Sequence, residues 1–126
     1  MTETARVSIR QQVGWRGVTV AGCILGSWTA LLATLFAVPT SSLPPVAWPL
    51  GFVTMTFLFT GLFITAHDAM HGTVAPANRR LNDAIGALSV ALYAAFPYRK
   101  LLREHRRHHQ RPASERDPDY HDGEHP

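Results

Sequence analysis

Two groups of histidines carry the chemistry that this sequence is equipped for. His67 and His71 stand four residues apart, and His105, His108 and His109 occupy positions i, i+3 and i+4. On a helix either spacing puts the imidazoles on one face, about one turn apart, where they can converge on a metal ion. Imidazole suits zinc, copper, iron and nickel, and it holds iron through the changes of oxidation state that oxygen activation demands. Zinc hydrolysis fits less well, because a metalloprotease helix carries its basic glutamate between two histidines and His67-Asp68-Ala69-Met70-His71 has none. Each group also has a plainer reading. The first is what an interfacial helix end with two hydrogen-bonded histidines looks like. The second, among Arg103, Arg106, Arg107 and Arg111, is what a basic patch on anionic lipid headgroups looks like. Both groups together, after a long apolar segment, favour metal.

The rest of the chain divides into a greasy half and a charged half. A mean hydropathy of −0.02 would pass for a soluble protein. Yet no charged residue lies between Arg16 and Asp68, and Arg, His, Asp and Glu are dense from Asp68 onward. A net charge of +3 is a surplus that could bind nucleic acid, but the Arg and Lys residues flank long apolar runs, as in a juxtamembrane segment. Nucleic acid is therefore not expected as a partner. The single cysteine, Cys23, allows neither an intramolecular disulfide nor a cysteine-based metal site, and reads as a small buried hydrophobe.

These patterns assign the elements that position the histidines. Residues 1–16 read as a cytoplasmic N-terminal segment containing Arg6, Arg10 and Arg16. Residues 17–66 read as a transmembrane helical hairpin with spans at about 17–38 and 46–66, each long enough for a bilayer core of about 30 Å. A cleavable signal peptide would have a shorter apolar run and a better cleavage site than the one after Val38. Pro39, Pro44, Pro45 and Pro49 interrupt helix between the spans, and Trp15 and Trp48 fall near span ends, where indole prefers the interface. Three basic residues precede the first span, none lies in the connection and nine follow the second. Both termini are thus expected on the cytoplasmic side of a cell inner membrane that the chain crosses more than once. Residues 67–126 form the cytoplasmic or interfacial histidine-box region: a polar loop over 72–83, a short apolar segment over 84–96 rich in small residues, a basic helix over 98–110, then irregular chain. The expected fold class is all-α and integral to the membrane, a transmembrane helical hairpin followed by interfacial helices carrying histidine boxes.

An H-x3-H box just past such a hairpin, with an H-x2-H-H box about 30 residues on, resembles the membrane fatty-acid desaturase and hydroxylase superfamily. Within it, the run from Gly61 through His67-Asp68-Ala69-Met70-His71 to Gly72 is similar to bacterial beta-carotene ketolases. So are Leu81-Asn82, Ile85-Gly86, Leu92-Tyr93 and Asp117-Pro118-Asp119-Tyr120-His121, and the likeness covers roughly residues 46–122. The resemblance implies an oxygenase with two irons that uses O2 to oxidise the C4 methylene of the β-ionone rings of β-carotene to a ketone, giving echinenone and canthaxanthin. Two hydroxylations at one carbon, then loss of water, yield that product. It also implies a substrate drawn from the bilayer and electrons from a donor such as ferredoxin.

Carried onto this sequence, the resemblance makes His67, His71, His105, His108 and His109 iron ligands. Asp68 and Asp117 become acceptors that support imidazole N–H groups, while His121 stands in the Asp-Pro-Asp segment and His125 matches nothing. Relatives are expected to be about twice as long, with a further pair of spans and a third histidine box, so that this chain corresponds to an N-terminal half. Two irons need on the order of eight or more ligands, and five histidines do not complete that set, so the chain alone is expected to be inactive. The histidine spacing is shared with carotenoid hydroxylases and fatty-acid desaturases. A non-catalytic, membrane-anchored protein that binds metal or lipid is the alternative from another class.

Overall fold

The computed structural model describes residues 3–121 and 123, with side chains described from residue 15 onward, and every regular element among them is helical. Helix α1 covers Glu3–Ala37, a 3-10 turn Thr40–Ser42, α2 Ala47–Met70, α3 Arg79–Ala94 and α4 Tyr98–Gln110. The basic N-terminal residues and the apolar run belong to one helix, because no proline interrupts 3–37 and glycine lowers helix propensity without ending it. Pro39, Pro44 and Pro45 do end it, and α2 resumes at Ala47.

Trp15–Ala37 and Ala47–Met70 are each long and apolar enough to cross a membrane. Their outward faces leave Val20, Phe36, Phe52, Val53 and Phe57 exposed, an apolar surface of the kind that lipid covers. Cys23 belongs to this exposed face, not to the interior that its apolar neighbours led one to expect. The hydroxyls along the spans need no outside partner. Thr19, Thr29, Thr34, Thr54, Thr56, Thr60 and Thr65 each donate to the carbonyl four residues back, at 2.8–3.0 Å.

α1 packs on α2 through Trp28, Leu58 and Leu62, with the Trp28 and Phe59 rings edge to face at 5.7 Å. A second apolar cluster, which includes Ala66, Ala69, Val90, Tyr98 and Leu102, joins the end of α2 to α3 and α4. α2 runs a full turn beyond the expected 66, so His67 is helical and His71 caps it. α3 also starts earlier than expected. The stretch 72–83 is a loop only as far as Asn78, whose side chain accepts from the Leu81 N–H at 3.0 Å and so starts the helix, while Arg79 pairs with Asp83 one turn on. α3 ends at Ala95, a left-handed residue with φ 54°, and Pro97 opens α4.

Gly86 governs the packing of these three helices. A β-carbon there would lie 2.6 Å from the Ala69 β-carbon and 2.6 Å from the Tyr98 ring. Gly86→Ala is therefore expected to destabilise the fold by about 1–3 kcal/mol, the usual cost of overpacking. Gly22→Ala, where a β-carbon meets nothing within 4 Å, is the matched control. Thermal unfolding in detergent checks the pair, and equal midpoints for the two variants would contradict this account of the junction.

Candidate metal centre

The end of α2 is held by hydrogen bonds that fix where its histidines point. The last turn of a helix leaves carbonyls without intrahelical partners. Here the Asp68 carbonyl accepts from the Thr73 N–H and hydroxyl at 3.1 and 2.9 Å, and the Ala69 carbonyl accepts from Asn82 Nδ2 at 2.7 Å. Asn82 Oδ1 also accepts from the Ala75 N–H at 3.3 Å, which ties the loop to α3. Gly72 makes the exit at φ +75°, a conformation that side chains disfavour. Asn82 is 1 % exposed, and in sequence it stands out only as part of the resemblance at Leu81-Asn82, with no role attached to it. Its signal was an amide on the apolar, small-residue face of α3, one turn after another asparagine.

Four imidazoles meet across the gap between α2 and α4. The His67 ring centre lies 4.7 Å from that of His71 and 4.8 Å from that of His105, and His71 and His105 are themselves 4.8 Å apart. His109 adds to the group at 4.9 Å from His71 and 4.6 Å from His105. The Nε2 atoms of His71 and His105 are 3.0 Å apart, a hydrogen-bond distance that requires one ring to donate and the other to accept. One nitrogen from each of His67, His71 and His105 lies within 4.8 Å of the others. Ligands at about 2.1 Å from one ion are at most about 4.2 Å apart, so slight ring rotations would let all three bind it.

His108 belongs to a separate arm. Its Nδ1 lies 3.0 and 3.1 Å from the two Asp117 carboxylate oxygens and 3.4 Å from Asp119 Oδ2. Asp117 also accepts from the backbone N–H groups of Ala113 at 2.8 Å and Asp119 at 3.0 Å, and its side chain is only 3 % exposed. A carboxylate can only accept, so Nδ1 of His108 is the donor in this pair. Asp68 behaves differently from Asp117. Its carboxylate is 3.6 Å from His67 Nδ1, too long for a hydrogen bond. His121 stays outside both groups and accepts from the Gly123 N–H at 2.9 Å, and His125 lies outside the described residues.

Electrostatics favour neutral rings. Burial lowers the pKa of His71, and the neighbouring His67 and His109 lower it further against a small opposing pull from Asp68. Burial lowers that of His105 too, with His67, His109, His71 and His108 adding to the effect. Asp117 is held below the usual carboxylate range by the Asp119 N–H, with His108 and the Ala113 N–H, against the opposing effect of burial. Lowered pKa values at His71 and His105 favour the neutral imidazole, which is the form that binds a cation.

The sequence profile of the fatty acid desaturase family matches residues 42–125. The chain belongs to that family. Among curated relatives it is 43 % identical over 131 aligned positions to "Beta-carotene 4-ketolase 3" of Haematococcus lacustris, covering 86 % of this chain and 41 % of that protein. It is 56 % identical over 73 positions to "Zeaxanthin 4-ketolase" of Chlamydomonas reinhardtii, covering 57 % of this chain and 16 % of that protein. "Beta-carotene ketolase" of Paracoccus sp. (strain N81106 / MBIC 01143) is 39 % identical over 104 positions, covering 82 % of this chain and 43 % of that protein. At its greatest the chain thus spans about two fifths of the length of these relatives. No solved structure matches it. Membership of this family, together with the two apolar helices, gives the molecule a membrane association.

The histidine group of this desaturase-family chain should register in its stability. His71 and His105 titrate below about 6.5 when folded and near it when unfolded, so in acid the unfolded chain binds more protons. Stability contributed by the group is complete above about pH 6.5 and is lost as pH falls through that value. Thermal midpoints of the metal-free chain in detergent are expected to drop between about pH 7.5 and about pH 5.5, and the double variant His71→Ala/His105→Ala should flatten much of the slope. A wild-type midpoint that holds level or rises on acidification would contradict the assignment of neutral rings.

Proposed function

We propose that this chain forms part of a membrane-embedded, iron-dependent carotenoid ketolase that oxidises the C4 methylene of a β-ionone ring to a ketone. The observation that carries the proposal is the convergence of His67, His71 and His105 at the end of an apolar span, in a chain whose relatives are named as 4-ketolases. The donor set fits iron: imidazoles, with the pKa of His71 and His105 lowered, a carboxylate behind His108, and no thiolate within the group. His67, His71 and His105, with His109 beside them and His108 through its Nε2, would hold the metal. Bound iron supplies reaction with O2 and removal of hydrogen from an allylic C–H bond that no side chain can attack.

The chain's own residues supply the setting. Asp117 holds the Nδ1 proton of His108, which fixes the tautomer and strengthens Nε2 as a donor. Asp68, beside His67, adds negative charge without a hydrogen bond. The spans carry the histidines to the edge of an apolar zone, so a carotenoid dissolved in lipid reaches them by lateral diffusion. Each hydroxylation consumes O2, two electrons and two protons and releases water, and the second at the same carbon gives a geminal diol that loses water to the ketone. A soluble donor such as ferredoxin would provide the electrons. The distribution of basic residues supports an orientation with both ends of this chain cytoplasmic and the spans in a bacterial inner membrane. Five histidines fall short of what two irons bind, so further donors must join them for turnover.

Expression in a β-carotene-accumulating bacterium, together with the remainder of a ketolase relative, is expected to give 4-keto carotenoids. His71→Ala or His108→Ala should lower ketone formation at least about 100-fold, in the upper range for losing a ligand or its support. Accumulation of 3-hydroxy carotenoids or unsaturated lipids in place of ketones would replace this reading with a hydroxylase or a desaturase. Unchanged ketone formation in the variants would remove the histidines from the chemistry.

A further inference from the structure

Beside the histidine group, α2, α3 and α4 enclose a cavity of about 280 Å³. One wall is a run of rings leading to the candidate metal centre: Tyr93 to Phe63 at 5.6 Å between centres, then Phe63 to His67 at 6.4 Å. Phe96 and Met70 complete the apolar lining. Phe63, Tyr93 and Phe96 stay 50, 40 and 55 % exposed, so the mouth opens on the apolar flank of the molecule. The lining also has a polar part, made by His67, His105, Glu104 and Asp119.

We propose that this cavity seats the terminal ring of a carotenoid, and that Glu104 accepts a hydrogen bond from a hydroxyl on the ring carbon next to the one facing the histidines. The inference rests on the ketolase reading for its substrate class and adds the subsite and its selectivity. The volume lies just under the range of pockets that engulf whole drug-sized ligands, so it takes a ring and leaves the long polyene outside in lipid. Flat conjugated carbon packs well on aromatic faces and on polarisable methionine sulfur. An unsubstituted ring needs nothing from the polar part, whereas a hydroxylated ring brings a donor that would be costly to bury without an acceptor. Glu104 provides one. Among the described residues its ion pair is a loose 3.9 Å contact with Lys100, and it lines the same cavity as His67 and His105.

The test is ligand binding without iron, by the 126-residue chain in phosphatidylcholine nanodiscs. β-Carotene is achiral, so visible circular dichroism arises only when the protein holds it in a chiral setting. The signal is expected with β-carotene, to be displaced by excess β-ionone, which is little more than the ring, and to be absent with acyclic lycopene. Phe63→Ala/Tyr93→Ala should weaken binding about tenfold or more. Zeaxanthin, measured by competition, should bind about tenfold tighter than β-carotene, and Glu104→Leu should abolish that preference.

Equal binding of lycopene, or failure of β-ionone to displace β-carotene from the wild-type chain, would overturn the ring subsite, and neither result depends on a variant folding. A zeaxanthin preference that is absent, or that survives in Glu104→Leu, would overturn the hydroxyl assignment. Ring binding without ketone formation in the complete system would sink the ketolase reading and leave the subsite standing. Ketone formation with no ring-specific binding would do the reverse.

Discussion

α3 can approach the end of α2 as closely as it does only because Gly86 has no side chain and faces Ala69, a residue with no exposed surface. Asn82, one turn earlier on α3, uses that proximity to bond the Ala69 carbonyl, so packing and polar satisfaction reinforce each other at one point. From there the path to the histidines is short. α3 ends at a left-handed alanine and a proline, α4 turns back under Tyr98, and His105 arrives within 3.0 Å of His71 although 34 residues separate them. A larger residue at position 86 would push α4 away and part the imidazoles, since side chains four residues apart on one helix cannot build this cluster by themselves.

The second constraint comes from the surroundings. In this cluster desolvation and the neighbouring imidazoles lower the pKa of His71 and His105, which favours their neutral forms. The same neutrality leaves lone pairs free for a cation. The threonine hydroxyls along the two apolar helices return to their own backbone, so they add little polar surface. The anionic support for His108 stands outside the spans, on the turn from Ala113 to Asp119.

Much of this was legible in the residues, for identifiable reasons. The absence of charge between Arg16 and Asp68 exposed both apolar helices, and the prolines at 39, 44 and 45 marked the connection. Spacings of i+3 and i+4 predicted which histidines share a face, and the structure brings His67, His71, His105 and His109 together. Boundaries were less legible. Hydropathy alone ends the apolar span at Ala66, before His67 and Asp68, whereas the i+4 spacing of His67 and His71 points to the further helical turn that α2 makes to Met70. The start of α3 was hidden for a related reason: Asn78 and Arg79 look like loop until the asparagine is recognised as a cap. Asn82 and the separation of His108 from the other rings depend on tertiary contacts across 13 and 9 residues, which no local pattern encodes. Asp68 and Asp117 looked equivalent in sequence, and only geometry distinguishes the bonded from the unbonded.

The central claim is that these imidazoles bind iron, and X-ray absorption at the iron edge addresses it most directly. The chain would be purified in detergent, loaded with ferrous iron under anaerobic conditions and freed of excess metal. The account predicts retained iron whose spectrum shows multiple scattering from several imidazole rings, diminished in the His71→Ala/His105→Ala double variant. Iron that washes away, or a spectrum of oxygen scatterers alone that the variant leaves unchanged, would contradict it.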